Sequence, residues 1–104
     1  MLDRYRIIVM PEASSDLIQL FEFIELDSPE SAAVVIQKLF EAIDSLEQLP
    51  HRCKIHRSTK NPKHMVHSMN VSPFIIYYRI LRDDRLLEVL TIRHGARKQP
   101  RRFK

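Results

Sequence analysis

The run FIIYYRIL at residues 74–81 is apolar on both of its faces, and this limits the fold more than any other stretch of the chain. Successive side chains of a strand point to opposite sides, so Phe74, Ile76, Tyr78 and Ile80 share one face and Ile75, Tyr77, Arg79 and Leu81 the other. Such a strand needs cover on both sides. Two further β-rich runs flank it, MVHSMNV before and LLEVLTIRH after, set off by SP and by RDDR, a credible hairpin turn. The spacing predicts three consecutive antiparallel strands, at about 64–71, 74–81 and 86–94. In the last of them strict alternation sets Leu87, Val89, Thr91 and Arg93 against Leu86, Glu88, Leu90, Ile92 and His94.

Something amphipathic has to cover one side of this sheet, and the first half of the chain supplies it. Tyr5 to Met10 is a short β-branched run stopped by Pro11, which predicts a strand over 5–10. Leu17, Leu20, Phe21 and Ile24 fall at helical spacing and predict a helix over about 12–26. Ser28 then offers an N-cap, Pro29 suits the first helical position and Glu30 the first turn, so a second helix runs over about 29–48 with Ala32, Val35, Ile36, Leu39, Ile43 and Leu46 as its stripe. The expected fold is α+β: an N-terminal strand, a helical hairpin and a three-stranded antiparallel meander, with the helices on one face of a small sheet. Residues 51–64 read as an irregular connection with room for a short strand near Ile55. The second sheet face, apolar and edged with Arg, is expected to be covered by a protein partner, with a homodimer or burial by the chain's own long loop as the alternatives.

At 104 residues the chain is expected to form one domain, 1–104. Its charge is unevenly placed. Residues 1–50 carry three basic groups against ten acids, and residues 51–104 carry fourteen against three, so a net charge of +4 conceals −7 in one half and +11 in the other. The second half should attract polyanions or an acidic protein segment, and the first should repel nucleic acid. Cys53 is the single cysteine, and no apolar run has the length of a signal peptide or a membrane span, so a cytoplasmic protein without membrane attachment is expected. His51, Cys53, His56, His64 and His67 lie close in sequence, yet their spacing matches no strong zinc pattern, and neither a metal nor a cofactor is expected. The chain closes on TIRHGARKQPRRFK, which reads as a strand end, a turn at Gly95 and a basic tail over 98–104.

The order PEASSDLIQLFEFI, SPESAAVVIQKLFEAIDSLEQLP, FIIYYRI and LEVLTIRHGARKQP resembles the ParE/RelE superfamily of type II toxin-antitoxin toxins, and within it the ParE or plasmid-stabilisation branch. The likeness covers nearly the whole chain. It implies a compact toxin neutralised by a cognate antitoxin whose C-terminal segment wraps it, which would cover the second sheet face and set acids against the basic half.

Two activities divide this superfamily. ParE-like members block DNA gyrase, which implies no catalytic site; RelE-like members cleave ribosome-bound mRNA. A diverged, non-toxic binding module of the same fold is a third reading. RNA cleavage through the 2′-hydroxyl needs a base, an acid and cations for the phosphate charge. His94, Arg97, Arg79 and Tyr77 are the residues here that could supply them, with His64, His67 and Tyr78 as further candidates. Arg97 matches a basic position of RelE-like nucleases, but the lysines those enzymes carry on their second strand have no counterpart in MVHSMNV, and a C-terminal tyrosine is absent. The gyrase reading is therefore expected to hold, with Ile75, Tyr77, Arg79, Arg93, Arg97, Lys98, Arg101 and Arg102 as the candidates for contact with target or antitoxin.

Overall fold

A computed structural model of the chain describes residues 4–48, 55–57 and 66–95, with 55–57 and Arg82 described by backbone alone. Its elements are β1 (Arg6–Val9), α1 (Pro11–Asp27), α2 (Pro29–Ser45), β2 (Ile55–Arg57), β3 (Val66–Val71), β4 (Phe74–Leu81) and β5 (Leu86–His94). The fold is α+β, as expected, but among the described residues the sheet holds five strands in the order β1-β5-β4-β3-β2. The meander β3-β4-β5 is antiparallel, and β1 joins it parallel to β5, with Arg6 opposite Leu86 and Val9 opposite Val89. The N-terminal strand thus closes one edge of the meander.

Local chemistry sets the helix boundaries. Pro11 starts α1, its missing N–H costing nothing at a position that has no intrahelical acceptor. Ser28 serves both helices: its N–H donates to Ile24 O at 2.9 Å to finish α1, and its Oγ accepts the Ser31 N–H at 3.2 Å to start α2. A one-residue corner of this kind holds the helices antiparallel. The expected run of α2 to residue 48 is corrected to Ser45. There the Leu46 and Glu47 N–H groups turn to acceptors three residues back, Ile43 O and Asp44 O, and the Ser45 hydroxyl takes Ala42 O at 2.6 Å. Leu46 remains fully buried, so the apolar stripe outlasts the helix that carries it.

The core lies between the hairpin and one sheet face. Ala13 and Leu17 of α1, Leu39 and Ile43 of α2, and Leu46 pack on Met69, Phe74, Ile76, Tyr78, Ile80, Leu87, Val89 and Ile92. Burial of each large side chain here contributes roughly 1.5–3 kcal/mol, which compensates two helices whose last turns carry no basic residue to complement the dipole.

The second face is not bare. Val66, Tyr77 and Leu90 form a smaller cluster with Met10 and Ile75 beside them, and Tyr77 is 1% exposed within the chain itself. The expectation that another chain must cover this face is corrected accordingly.

Candidate functional site

The geometry that matters is set by one irregularity. Tyr77 pairs with Thr91 and the next residue, Tyr78, with Val89, so Leu90 is an extra residue in β5. A bulge of this kind breaks the two-residue period and turns everything after it by one position. Thr91 and Arg93 therefore lie opposite Tyr77 and Ile75 on the second face, while Ile92 and His94 join Ile76 and Phe74 on the helix side. Strict alternation grouped Arg93 with Leu87 and Val89, and His94 with Glu88 and Leu90. The bulge reverses both assignments.

On the second face β4 and β5 place three pairs side by side: Arg79 with Glu88, Tyr77 with Thr91, and Ile75 with Arg93. Arg79 Nε lies 3.8 Å from Glu88 Oε1, with 15% and 20% of the two side chains exposed. Tyr77 is buried beside them. Its phenol is pushed above the ordinary value by loss of solvent, and the nearby Arg93 guanidinium opposes that rise. Ser68, opposite Tyr77 on β3, is also buried.

Arg93 is held from α1. Its Nε donates to Thr91 Oγ1 at 3.1 Å, and its Nη2 reaches Glu12 Oε1 at 3.4 Å. Thr91 Oγ1 in turn donates to Asp16 Oδ2 at 2.5 Å, and the same carboxylate oxygen accepts the Ile92 N–H at 3.0 Å. The reason is topological. Beside residues 86–89 the edge of β5 is covered by β1, but the Met10 N–H makes the last backbone bond of that kind, to Val89 O at 3.0 Å, before Pro11 starts a helix. Past that point a side-chain carboxylate satisfies the strand edge.

On the helix side a groove of about 540 Å³ opens between the hairpin and the end of the sheet. Phe23, Ile24, Phe74 and Ile92 give it apolar walls, and Arg93 and His94 line it as well. His94 stands edge-on to Phe74 with ring centroids 5.5 Å apart. Phe23 is 71% exposed, a large apolar ring left in water at the mouth of a groove.

The structure thus divides the residues singled out from sequence. It brings Ile75, Tyr77, Arg79 and Arg93 together on the second face. It puts His94 on the other face, and buries His67 there against Tyr78, the two rings stacked at 5.2 Å. Arg97, Lys98, Arg101 and Arg102 lie outside the described residues, as do His51, Cys53 and His64, and of His56 only the backbone is described. Among the described residues no three His, Cys, Asp or Glu side chains are grouped to hold a metal ion, and no helix is long and apolar enough to cross a membrane. Gly95 accepts its place because of space and not because of a positive φ: its N–H donates to Pro73 O at 2.8 Å, and an added Cβ would stand 3.2 Å from that same oxygen.

Sequence reasoning missed Glu12, Asp16, Glu88 and Thr91. Glu88 was within reach, since a turn joining Leu81 to Leu86 puts Arg79 opposite it by counting. Asp16 gave a fainter signal, an acid directly beside Leu17 on the buried side of an otherwise ordinary stripe.

Residues 7–99 match the family described as "ParE toxin of type II toxin-antitoxin system, parDE". The chain is also 32% identical over 99 residues to a protein of Sinorhizobium fredii (strain NBRC 101917 / NGR234) named "Putative toxin Y4kP", an alignment covering 95% of this chain and 97% of the relative. Among solved structures it is similar in fold to a chain of the chromosomal ParDE system from P. aeruginosa, with 20% identity, a TM-score of 0.68, and coverage of 88% of this chain and 97% of that one. A chain of the RelBE2 toxin-antitoxin complex from Mycobacterium tuberculosis superposes with a TM-score of 0.63 at 21% identity, covering 93% and 98%.

Proposed function

For a chain that belongs to the ParE toxins of type II toxin-antitoxin systems, we propose that the target is DNA gyrase, that the whole chain acts as one toxin domain in the cytoplasm, and that a cognate antitoxin neutralises it. One observation supports the choice of target: among the described residues, the candidates for an RNA-cleaving site are dispersed. His94 is on the helix side of the sheet, Tyr77 and Arg79 on the opposite face, and each described cation of that face has an acid beside it, Glu88 for Arg79 and Glu12 for Arg93. Tyr77, its phenol raised by burial, is a poor base at neutral pH. A protein that works by contact needs no such assembly.

The groove suits the antitoxin. Its apolar walls fit the apolar side of an amphipathic segment, and Arg93 fits an acid on that segment. Solved toxin-antitoxin complexes of this fold support a protein partner of that class.

The experiment is a DNA supercoiling assay with purified gyrase, titrated with this protein alone and then with the antitoxin encoded beside it. Inhibition relieved by the antitoxin is the expected result. A folded protein that leaves supercoiling untouched but cleaves mRNA on translating ribosomes would replace the proposal, and His94→Ala and Arg97→Ala would then be the first variants to test.

A further inference from the structure

We infer that Asp16 is a positioning residue, which acts through Thr91 to fix the Arg93 guanidinium at the groove as an anchor for a carboxylate of the partner segment, with Glu12 as the resident stand-in. The inference rests on the reading of the groove as the antitoxin's seat.

Thr91 is 2% exposed and its Oγ1 has one proton, which is committed to Asp16 Oδ2 at 2.5 Å. That commitment leaves only lone pairs on the other side of the oxygen, where Arg93 Nε–H arrives at 3.1 Å. Were the Asp16 carboxylate absent, the hydroxyl could turn its proton elsewhere and the preference for an N–H at that point would go. The carboxylate is itself held, because the same Oδ2 accepts the Ile92 N–H of the uncovered strand edge at 3.0 Å. Backbone, acid, hydroxyl and guanidinium thus form one directed chain from β5 to Arg93.

The other end of the guanidinium is held loosely. Nη2 meets Glu12 Oε1 at 3.4 Å, and the two side chains are 36% and 54% exposed, a geometry of little energetic worth. The Nε–H is spent on Thr91 and Nη2 meets the weakly held Glu12 carboxylate, while Arg93 itself lines the groove beside Asp16, whose own carboxylate is engaged by Thr91 and the Ile92 N–H. A partner carboxylate carried into the groove on an apolar segment can take the place of Glu12 without disturbing Thr91. An arginine whose aim is set before binding spends less freedom on that contact.

The test uses the whole protein without a partner, isotope-labelled for NMR, with the Arg93 Nε–H resonance identified by its loss in Arg93→Lys. The probe is hexanoate, a carboxylate on an apolar chain, with hexan-1-ol as its uncharged control. Wild type should show a distinct, protected Arg93 Nε–H that shifts saturably with hexanoate and not with hexan-1-ol, and Glu12→Gln should strengthen that binding. Asp16→Asn, which keeps an oxygen for the Ile92 N–H, and Thr91→Val should each lose the distinct resonance and weaken hexanoate by about three- to tenfold, whereas Thr91→Ser should restore both. If Asp16→Asn lowers the melting temperature but leaves the Arg93 resonance and the hexanoate response as in wild type, Asp16 only caps a strand edge and the inference is overturned. An equal response to hexan-1-ol would overturn the carboxylate class. These readings need no antitoxin, so they stand apart from a failure of the gyrase and antitoxin experiment.

Discussion

The two halves of β5 are built differently although they are one strand. Residues 86–89 lie between two other strands, β1 on one side and β4 on the other, and alternate as a strand should. Residues 91–94 have β4 on one side and helix α1 on the other, follow a bulge, and are satisfied at their free edge by Asp16. The first half buries Leu87 and Val89 completely; the second carries Arg93 and His94 to the groove. Where the backbone ladder is complete on both sides the strand contributes stability, and where a helix replaces a strand it can present charged side chains, because side-chain groups now decide the local hydrogen bonding.

The largest effects should come from removing side chains in each half. Leu87 is fully buried in the helix-side core, and Leu87→Ala should cost about 3–5 kcal/mol, since a site enclosed by helix and sheet cannot collapse around the void. Ile92 belongs to the same core but also walls the groove, so water can reach the space left by Ile92→Ala and the loss should be about 2 kcal/mol. Urea unfolding at a constant m-value measures both. Equal losses would break the comparison, showing the second half to be as enclosed as the first.

A smaller effect concerns pH. Burial holds the Tyr77 phenol protonated to higher pH than in the unfolded chain, where it ionises near 10.0. Above that value the unfolded state releases a proton that the folded state keeps, so stability from this group is full below pH 10 and is lost as pH rises through the folded value. Tyr77→Phe should flatten the alkaline fall in melting temperature. Arg93→Ala should move the Tyr77 titration, followed by ultraviolet absorbance, further up, because the guanidinium that opposes the rise is gone. An unmoved titration would separate Arg93 from the second face and assign it to the groove alone.

The strands, helices and their order were legible because apolar periodicity and proline positions report directly on backbone geometry: Pro11, Pro29 and the FIIYYRIL run mark boundaries that the structure repeats. The bulge at Leu90 was not read from sequence, although it leaves a trace: the apolar residues fall on 87 and 89 before it and on 90 and 92 after it, but the adjacent pair Val89 and Leu90 is equally expected in a strand with two apolar faces. That one residue decided which cations share a face, and with it the site. The parallel pairing of β1 was likewise hidden, since a four-residue β-branched run carries no sign of its neighbour or direction. Asp16 was missed because its partner, a backbone N–H left over where β1 ends, exists only once the topology is known.

The smallest prediction lies at the entrance to the first half. After the turn at Arg82–Asp84, Arg85 takes φ 50, the left-handed region, and its carbonyl accepts the Arg6 N–H at 2.9 Å to begin the β1–β5 pairing. A side chain with a Cβ pays about 1–2 kcal/mol to stand there, while glycine avoids that strain but gains freedom in the unfolded chain. Arg85→Gly should therefore raise stability by about 1 kcal/mol or less, a rise in melting temperature of a few degrees by calorimetry. It should leave the Arg93 resonance unchanged, because the bulge and Asp16 separate the second half from the turn. A change at Arg93 would mean that the two halves of β5 respond as one strand after all, and that its aim depends on the whole ladder and not on α1.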